Sequence, residues 1–533
     1  MKNWFLKKNH KPGLISLTIA VLLLSNIFLF AQPVQTIRYE KKLENGDKGY
    51  THISLKEKGI ALVRDMEKFK DGKKTWETII LDTLLNELHT QEFDLENRLN
   101  LIGYEHVSND LYLLFRKTET DINNFLMLRI DLKSYSSSQY TIKQELNFKI
   151  THFSVAGGSA ILGGYVNREP AVILYELNVD QTKILPGFFL SDTELLDLRV
   201  NRNNTFNTLL IDRGSRDNKR LVVKTFDEWG SLLLEDAITI PSDRTILAGM
   251  TSTLERDEMI LLGTWASAKS NQASGVYSVL VDPFNEQEIQ FYDFGQFDHF
   301  FEYLKPKKAE KIYAKSKRSR EAGKIPDFKT NVNVVNVSEY PDGFSLLAEV
   351  YLQSSSMNSS PYWNNYSSPY GNPYAYNTYG FSPFTPRYYN SPYSNYSPSP
   401  NADVSMLHSS LAFFNLQGKY IKDYGFKLNN TKQSDLEQFS DYIVDRNHVS
   451  AAYKNEGEIN MKTWMGDSLA LDTLKIKLKN PTDKVRQEYN QNTGIKEWYG
   501  NTFYIYGYES LRDKEKSDDP GRYVFYINKL EIN

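Results

Sequence analysis

The sequence predicts an all-β chain, a β-propeller of seven or eight four-stranded blades. Three observations lead there. Short apolar strands recur along the whole chain. The most apolar of them return at a spacing near 50 residues, at the upper end of the range for propeller blades. Long amphipathic helical patterns are nearly absent. The alternative is a pair of consecutive β-sandwiches, which also yield regular short strands. The persistence of the period through the chain favours the ring.

The repeated unit is clearest when its most apolar strands are aligned. They are Lys58-GIALVRD, Leu111-YLLFRK, Ser159-AILGGYV, Asn207-TLLIDRG, Glu258-MILLGTW, Gly343-FSLLAEVY, His448-VSAAYKN and Asn501-TFYIYGYE. A second apolar strand follows most of them, as in Phe125-LMLRIDL, Ala171-VILYELNV, Leu411-AFFNLQGK and Tyr523-VFYINKLEI. Continuous apolar runs rich in Val, Ile, Tyr and Phe suit strands covered on both faces. A small twisted sheet cannot bury both faces alone, and radial packing covers them. The strand near Thr36-IRYEKKL is expected to complete the last blade, begun by 498–533, so that residues 32–533 form one ring closed by its termini.

The N-terminus reads as an export signal. Lys2, Lys7, Lys8 and Lys11 precede a largely apolar run from Leu14 to Phe30, and Ala31 then leads into a polar chain. That order is charged, apolar, then small, and cleavage is expected after Ala31; Leu29 departs from the small-residue rule, and the alternative is an uncleaved anchor. There is no cysteine. Disulfides, thiolate chemistry, thiolate metal sites and a lipoprotein anchor are therefore excluded. The expected location is the periplasm or the outer-membrane periphery, with no transmembrane segment after cleavage.

Two insertions break the period. The first spans 302–326 and carries nine Lys or Arg against three Glu between Glu302 and Lys324. A helix is expected over 309–322, with Gly323 as its cap. The second spans 354–400 and holds ten Tyr, eight Pro, twelve Ser and seven Asn, with Arg387 its only charge. Proline cannot enter strand ladders, and Ser and Asn favour turns, so a long irregular loop is expected. In a propeller the b–c loops and the d–a links open on one side. Both insertions are thus expected on one face, in adjacent blades. Their exposed residues form the candidate interaction surface: Lys307, Lys308, Lys311 and Arg318 in the basic insert, and Tyr374, Tyr376, Tyr379, Tyr388 and Tyr389 in the loop. Clustered cations suit phosphate-rich lipid, and so a peripheral membrane contact, or an acidic partner, and Tyr rings suit protein or glycan faces.

Chemistry-bearing motifs are not found. The eight His form no ligand spacing, there is no Gly-x-Ser-x-Gly elbow, and no calcium or phosphate loop is present. No catalytic residue, metal or cofactor is assigned. Only Asp298-His299, beside Phe297 and Phe300, reads as a candidate channel-facing cluster. A net charge of −3 gives no case for nucleic-acid binding.

Several stretches resemble a group of exported proteins of Bacteroidota-type Gram-negative bacteria for which no activity is known. Phe30-Ala31-Gln32 is similar to the end of signal peptides of that phylum. Lys311-IYAKSKRSREAGK, then Pro341-DGFSLLAEVY, then a Tyr/Ser/Pro-rich loop, resemble one segment of that group. The resemblance covers about 302–419 and implies a cell-envelope location. The leading functional expectation is a non-enzymatic envelope propeller that binds a protein partner or scaffolds an assembly. The alternative is a propeller that binds or cleaves glycans through channel carboxylates.

Overall fold

A computed structural model describes residues 33–44, 48–117, 123–214, 218–255, 258–268, 270–282, 287–353, 404–433, 436–446, 448–466, 468–516 and 520–532. Among them are eight four-stranded antiparallel sheets, and these are the eight blades of the ring. Blades 1 to 7 occupy 51–96, 100–143, 148–184, 193–239, 244–293, 331–433 and 440–475. Within each, the strands run a, b, c, d in chain order, with strand a innermost. Blade 8 is composite. Its strands a to c are Asp483–Glu497, Thr502–Asp513 and Arg522–Ile532, and its outermost strand is the N-terminal Pro33–Leu43. Pro33 pairs with Ile532 and Leu43 with Tyr523, so the two ends of the chain share one sheet. The closing blade thus begins with a polar strand upstream of the expected Trp498 start.

Every strand aligned from the sequence is a b strand. That is why these runs are apolar throughout. All eight residues of Ser159–Val166 are buried, because successive side chains point alternately into the junctions on either side. In blade 4, Leu210 packs toward blade 3, while Leu209 and Ile211 pack toward blade 5. Eight buried apolar clusters result, one at each junction. The outer strands show the complementary pattern. Gln181–Ile184 is wholly exposed, and Ser468–Lys475 alternates.

The inner strands are joined by carboxylates that cross to the next blade. Asp197 accepts the Thr251 amide at 2.9 Å, Asp441 accepts the Glu497 amide at 2.8 Å, and Glu105 accepts the Ser154 hydroxyl at 3.2 Å. Six inner strands carry a bulge near their start, as between Leu195 and Asp197 or Ile246 and Ala248. A bulge adds local twist and re-aims the side chains that follow it.

Candidate interaction surface

The basic insert is the d–a link between blades 5 and 6. Strand d of blade 5 ends at Asp293, opposite Gly275 at the b–c end of that blade. A 3₁₀ turn follows at Phe294–Gln296, closed by a capping box. Asp293 accepts the Gly295 amide at 2.9 Å, and the Gln296 side chain accepts the Asp293 amide at 2.9 Å. The chain then folds down over the rim. Phe294, Phe297, Phe300 and Phe301 are all buried in the wedge where blades 5 and 6 diverge. Phe294 and Phe300 stack with centroids 3.8 Å apart. Asp423, on the outermost strand of blade 6, accepts the amides of Asp298 at 2.8 Å and His299 at 2.9 Å, and the Tyr420 hydroxyl at 2.7 Å.

Helix α1 (Pro306–Glu321) is mounted on this wedge. Pro306 opens it, where a missing N–H costs nothing. Ala309, Ile312 and Tyr313 pack on the aromatic cluster. The Tyr313 hydroxyl donates to the Asp298 carbonyl at 3.1 Å. The C-terminal half is pinned by Asp293, whose carboxylate accepts Ser316 Oγ at 2.7 Å and Arg320 at 2.7 Å through both oxygens. Gly323 ends the helix at φ +64, a left-handed cap that glycine adopts without a side-chain penalty. The observed helix starts three residues before the expected 309, because the proline marks its first turn.

This mounting fixes the outward face. Lys307, Lys308, Lys311, Lys315, Lys317, Arg318 and Lys324 are all exposed. Among the described residues, none of the seven pairs with an acid. Of the nine basic residues expected in the insert, Arg320 alone turns inward to a carboxylate. Lys307, Lys308, Lys311 and Arg318 therefore share one helix mounted on the 5–6 junction. Tyr374, Tyr376, Tyr379, Tyr388 and Tyr389 lie outside the described residues. The ends of their segment are placed. Gln353 pairs with Val404, and Val404 with Gln433, at the b–c end of blade 6. By connectivity both insertions leave the ring on that side. The helix then lies along the outer flank of the 5–6 junction, because the aromatic link carries it over the rim.

The channel reading of Asp298-His299 is corrected. Both residues sit on the rim against the outermost strand, since the link runs outside the ring. His299 Nδ1 lies 2.6 Å from Glu302 Oε1, and Glu302 Oε2 lies 3.3 Å from Lys462 of blade 7. The Glu302 hydrogen bond raises the His299 pKa. Burial works against the Glu302 carboxylate, yet His299 and Lys462 hold it below its usual range.

Toward the axis, the ring is occupied on one side by Arg199. This fully buried guanidinium donates to the carbonyls of Thr251 at 2.8 Å and Val337 at 2.9 Å, bridging the inner strands of blades 4, 5 and 6. Burial dominates here, lowering the Arg199 pKa and pushing Asp197 up to about 6. Across the ring, Asp441 and Glu497 form an acidic pair, both raised by burial. Glu497 is bound to Lys56 at 2.7 Å. The neighbouring rings are not an open platform: Tyr504 and Tyr506 are 2% and 7% exposed and pack on His52. Among the described residues no group of three or more His, Asp or Glu is arranged to hold a metal ion, and no helix is long and apolar enough to cross a membrane. Arg199, Asp293 and Asp423 were not legible as special in the sequence. Asp423 lies 125 residues from Asp298, and no local pattern announces that meeting.

No protein-family model matches the chain, and no curated protein does. Solved structures do. The chain is similar to the polysaccharide lyase Uly1 at 8% identity, covering 91% of this chain and all of that one, with a TM-score of 0.40. It is similar to the β-propeller domain of the Trilobed protease from Pyrococcus furiosus, described as having an open velcro topology. There the identity is 9%, coverage is 82% and 95%, and the TM-score is 0.34. A likeness to the Dos1 propeller has 10% identity, coverage of 82% and 93%, and a TM-score of 0.37. These are likenesses of fold, and no activity passes from them to this chain.

Proposed function

We propose that the protein is a non-enzymatic, exported envelope propeller that docks a protein partner on the flank and b–c side of blades 5 and 6. The observation that carries this reading is the contrast in pairing along one insert. Asp293, Ser316, Arg320 and the buried phenylalanines hold helix α1 in place. The outward cations are left without acidic partners among the described residues. Rigid scaffolds that present loops and insertions in one sector mark a binding surface. The inner ring supports the same reading. Arg199 bridges three blades inside it, and the Asp441–Glu497 pair is tied to Lys56 beside buried rings. Export and an envelope location rest on the N-terminal pattern and on the resemblance to envelope proteins of Bacteroidota-type bacteria.

The test is mild crosslinking in intact cells followed by affinity isolation, with the full chain and with residues 354–400 removed. A discrete protein that crosslinks to the full chain and is lost or weakened on deletion supports the reading. An identical pattern from both chains contradicts it. Glycan binding abolished by Glu497→Gln would replace it with a channel ligand.

A further inference from the structure

We infer that the row Lys307, Lys311, Lys315 and Arg318 is a docking rail for an acidic polypeptide segment. The inference rests on the partner-docking reading and adds the partner's chemistry. Lys307, Lys311 and Lys315 are spaced four residues apart, and Arg318 follows three further on. Such spacing places all four on one helix face. All four are exposed. Like charges at this spacing destabilise a helix, and no acid stands in its first turn to favour the dipole. The wedge beneath supplies the stability that the sequence of the helix lacks. An anionic strand laid along the row removes the repulsion and gains from the preorganised array.

The occupant is a polypeptide and not a lipid surface for two reasons. Membrane-lying helices insert an apolar face, and here Ala309, Ile312 and Tyr313 are already packed on the core of the 5–6 junction. The rest of the chain is acidic. Sixty-six Asp and Glu against 63 Lys and Arg, nine of them in the insert, leave a body that an anionic bilayer repels. A narrow acidic segment meets the rail without facing that body.

The test is fluorescence anisotropy of a labelled oligoglutamate peptide with the full mature chain, beside flotation with phosphatidylglycerol-containing vesicles. Lys307→Glu, Lys311→Glu, Lys315→Glu and Arg318→Glu together are expected to weaken peptide binding by about tenfold or more. The same positions changed to Arg or Lys retain it. A matched control reverses four exposed lysines elsewhere, Lys133, Lys475, Lys479 and Lys484, and is expected to change binding less than about twofold. Equal losses in both quadruple variants, or no peptide binding at all, overturn the rail. Retention on vesicles that depends on the four residues, without peptide binding, assigns the row to lipid instead. If the deletion-sensitive partner above persists while peptide binding fails, the rail falls and the docking reading stands. If the partner is absent, peptide binding alone does not rescue that reading.

Discussion

The 5–6 junction and the composite blade 8 meet a similar need with opposite use of charge. Each must fasten a segment that the regular blade plan does not supply. In blade 8 the fastened segment is the N-terminal strand, and its inward charges, Arg38 and Glu40, are buried and paired. Arg38 contacts Glu509 at 2.8 Å and Glu40 at 2.6 Å, and lies over the Tyr526 ring. Arg522 reaches Asp483 at 2.9 Å, and Lys454 of blade 7 pairs with Glu488. At the 5–6 junction the fastening is aromatic, with two buried carboxylates, Asp293 and Asp423, as its polar anchors. There the remaining cations of the insert face outward, without an acidic partner among the described residues. The difference separates charge that builds the ring from charge that the ring displays.

The largest effect belongs to the closure. Arg38→Ala leaves Glu509 buried without its main partner and is expected to cost about 3–5 kcal/mol in denaturant unfolding. The folded fraction should bind partner as before. A cost under about 1 kcal/mol would blur the distinction between the two junctions. Next comes the mount. Asp293→Ala strips Ser316, Arg320 and the Gly295 amide of one acceptor, for about 1–3 kcal/mol. Limited trypsin digestion should then cut within α1 much faster, while the rest of the ring resists. Reversal of Lys307, Lys311, Lys315 and Arg318 is expected to move stability by no more than about 0.5 kcal/mol while it weakens binding. A marked drop in melting temperature would make these residues structural.

The smallest effect is a pH dependence of the rim. His299 is raised by its bond to Glu302, so its contribution is full below the unfolded value of about 6.5 and fades as pH rises through the raised folded value. Glu302 is lowered, so its contribution holds above about 4.3 and fades as pH falls through the lower folded value. The pair is half exposed, and screening limits the effect to under about 1 kcal/mol. Amide exchange over 299–304, corrected for intrinsic rates, should be slowest in mildly acidic solution. A flat profile would remove the pair from the mount.

The two junctions also differ in how far they can be read from the sequence. The eight b strands stand out because both of their faces are covered, which forces unbroken apolar runs. The inner strand of blade 8, Asp483–Glu497, does not stand out. Its sequence DKVRQEYNQNTGIKE is polar, and its place is set by pairing with Thr502–Asp513 and by packing on blade 7. Helix α1 is local and was visible, apart from its start at Pro306. Its anchor was not. Asp293 reads as an ordinary strand-end acid until folding brings Ser316 and Arg320 onto it. The direction of Asp298-His299 also depends on a partner in the outer strand of blade 6, so a sequence reading aimed it at the axis and the structure turns it to the rim.

The chain contains no cysteine, so one cysteine can be placed at will and carry a photocrosslinker. The decisive measurement compares Lys311→Cys on α1 with Lys133→Cys on the rim of blade 2, each crosslinked in intact cells. The account predicts a discrete partner adduct from position 311 and none from position 133. Adducts of equal yield from both, or an adduct from 133 alone, would contradict a docking surface at blades 5 and 6.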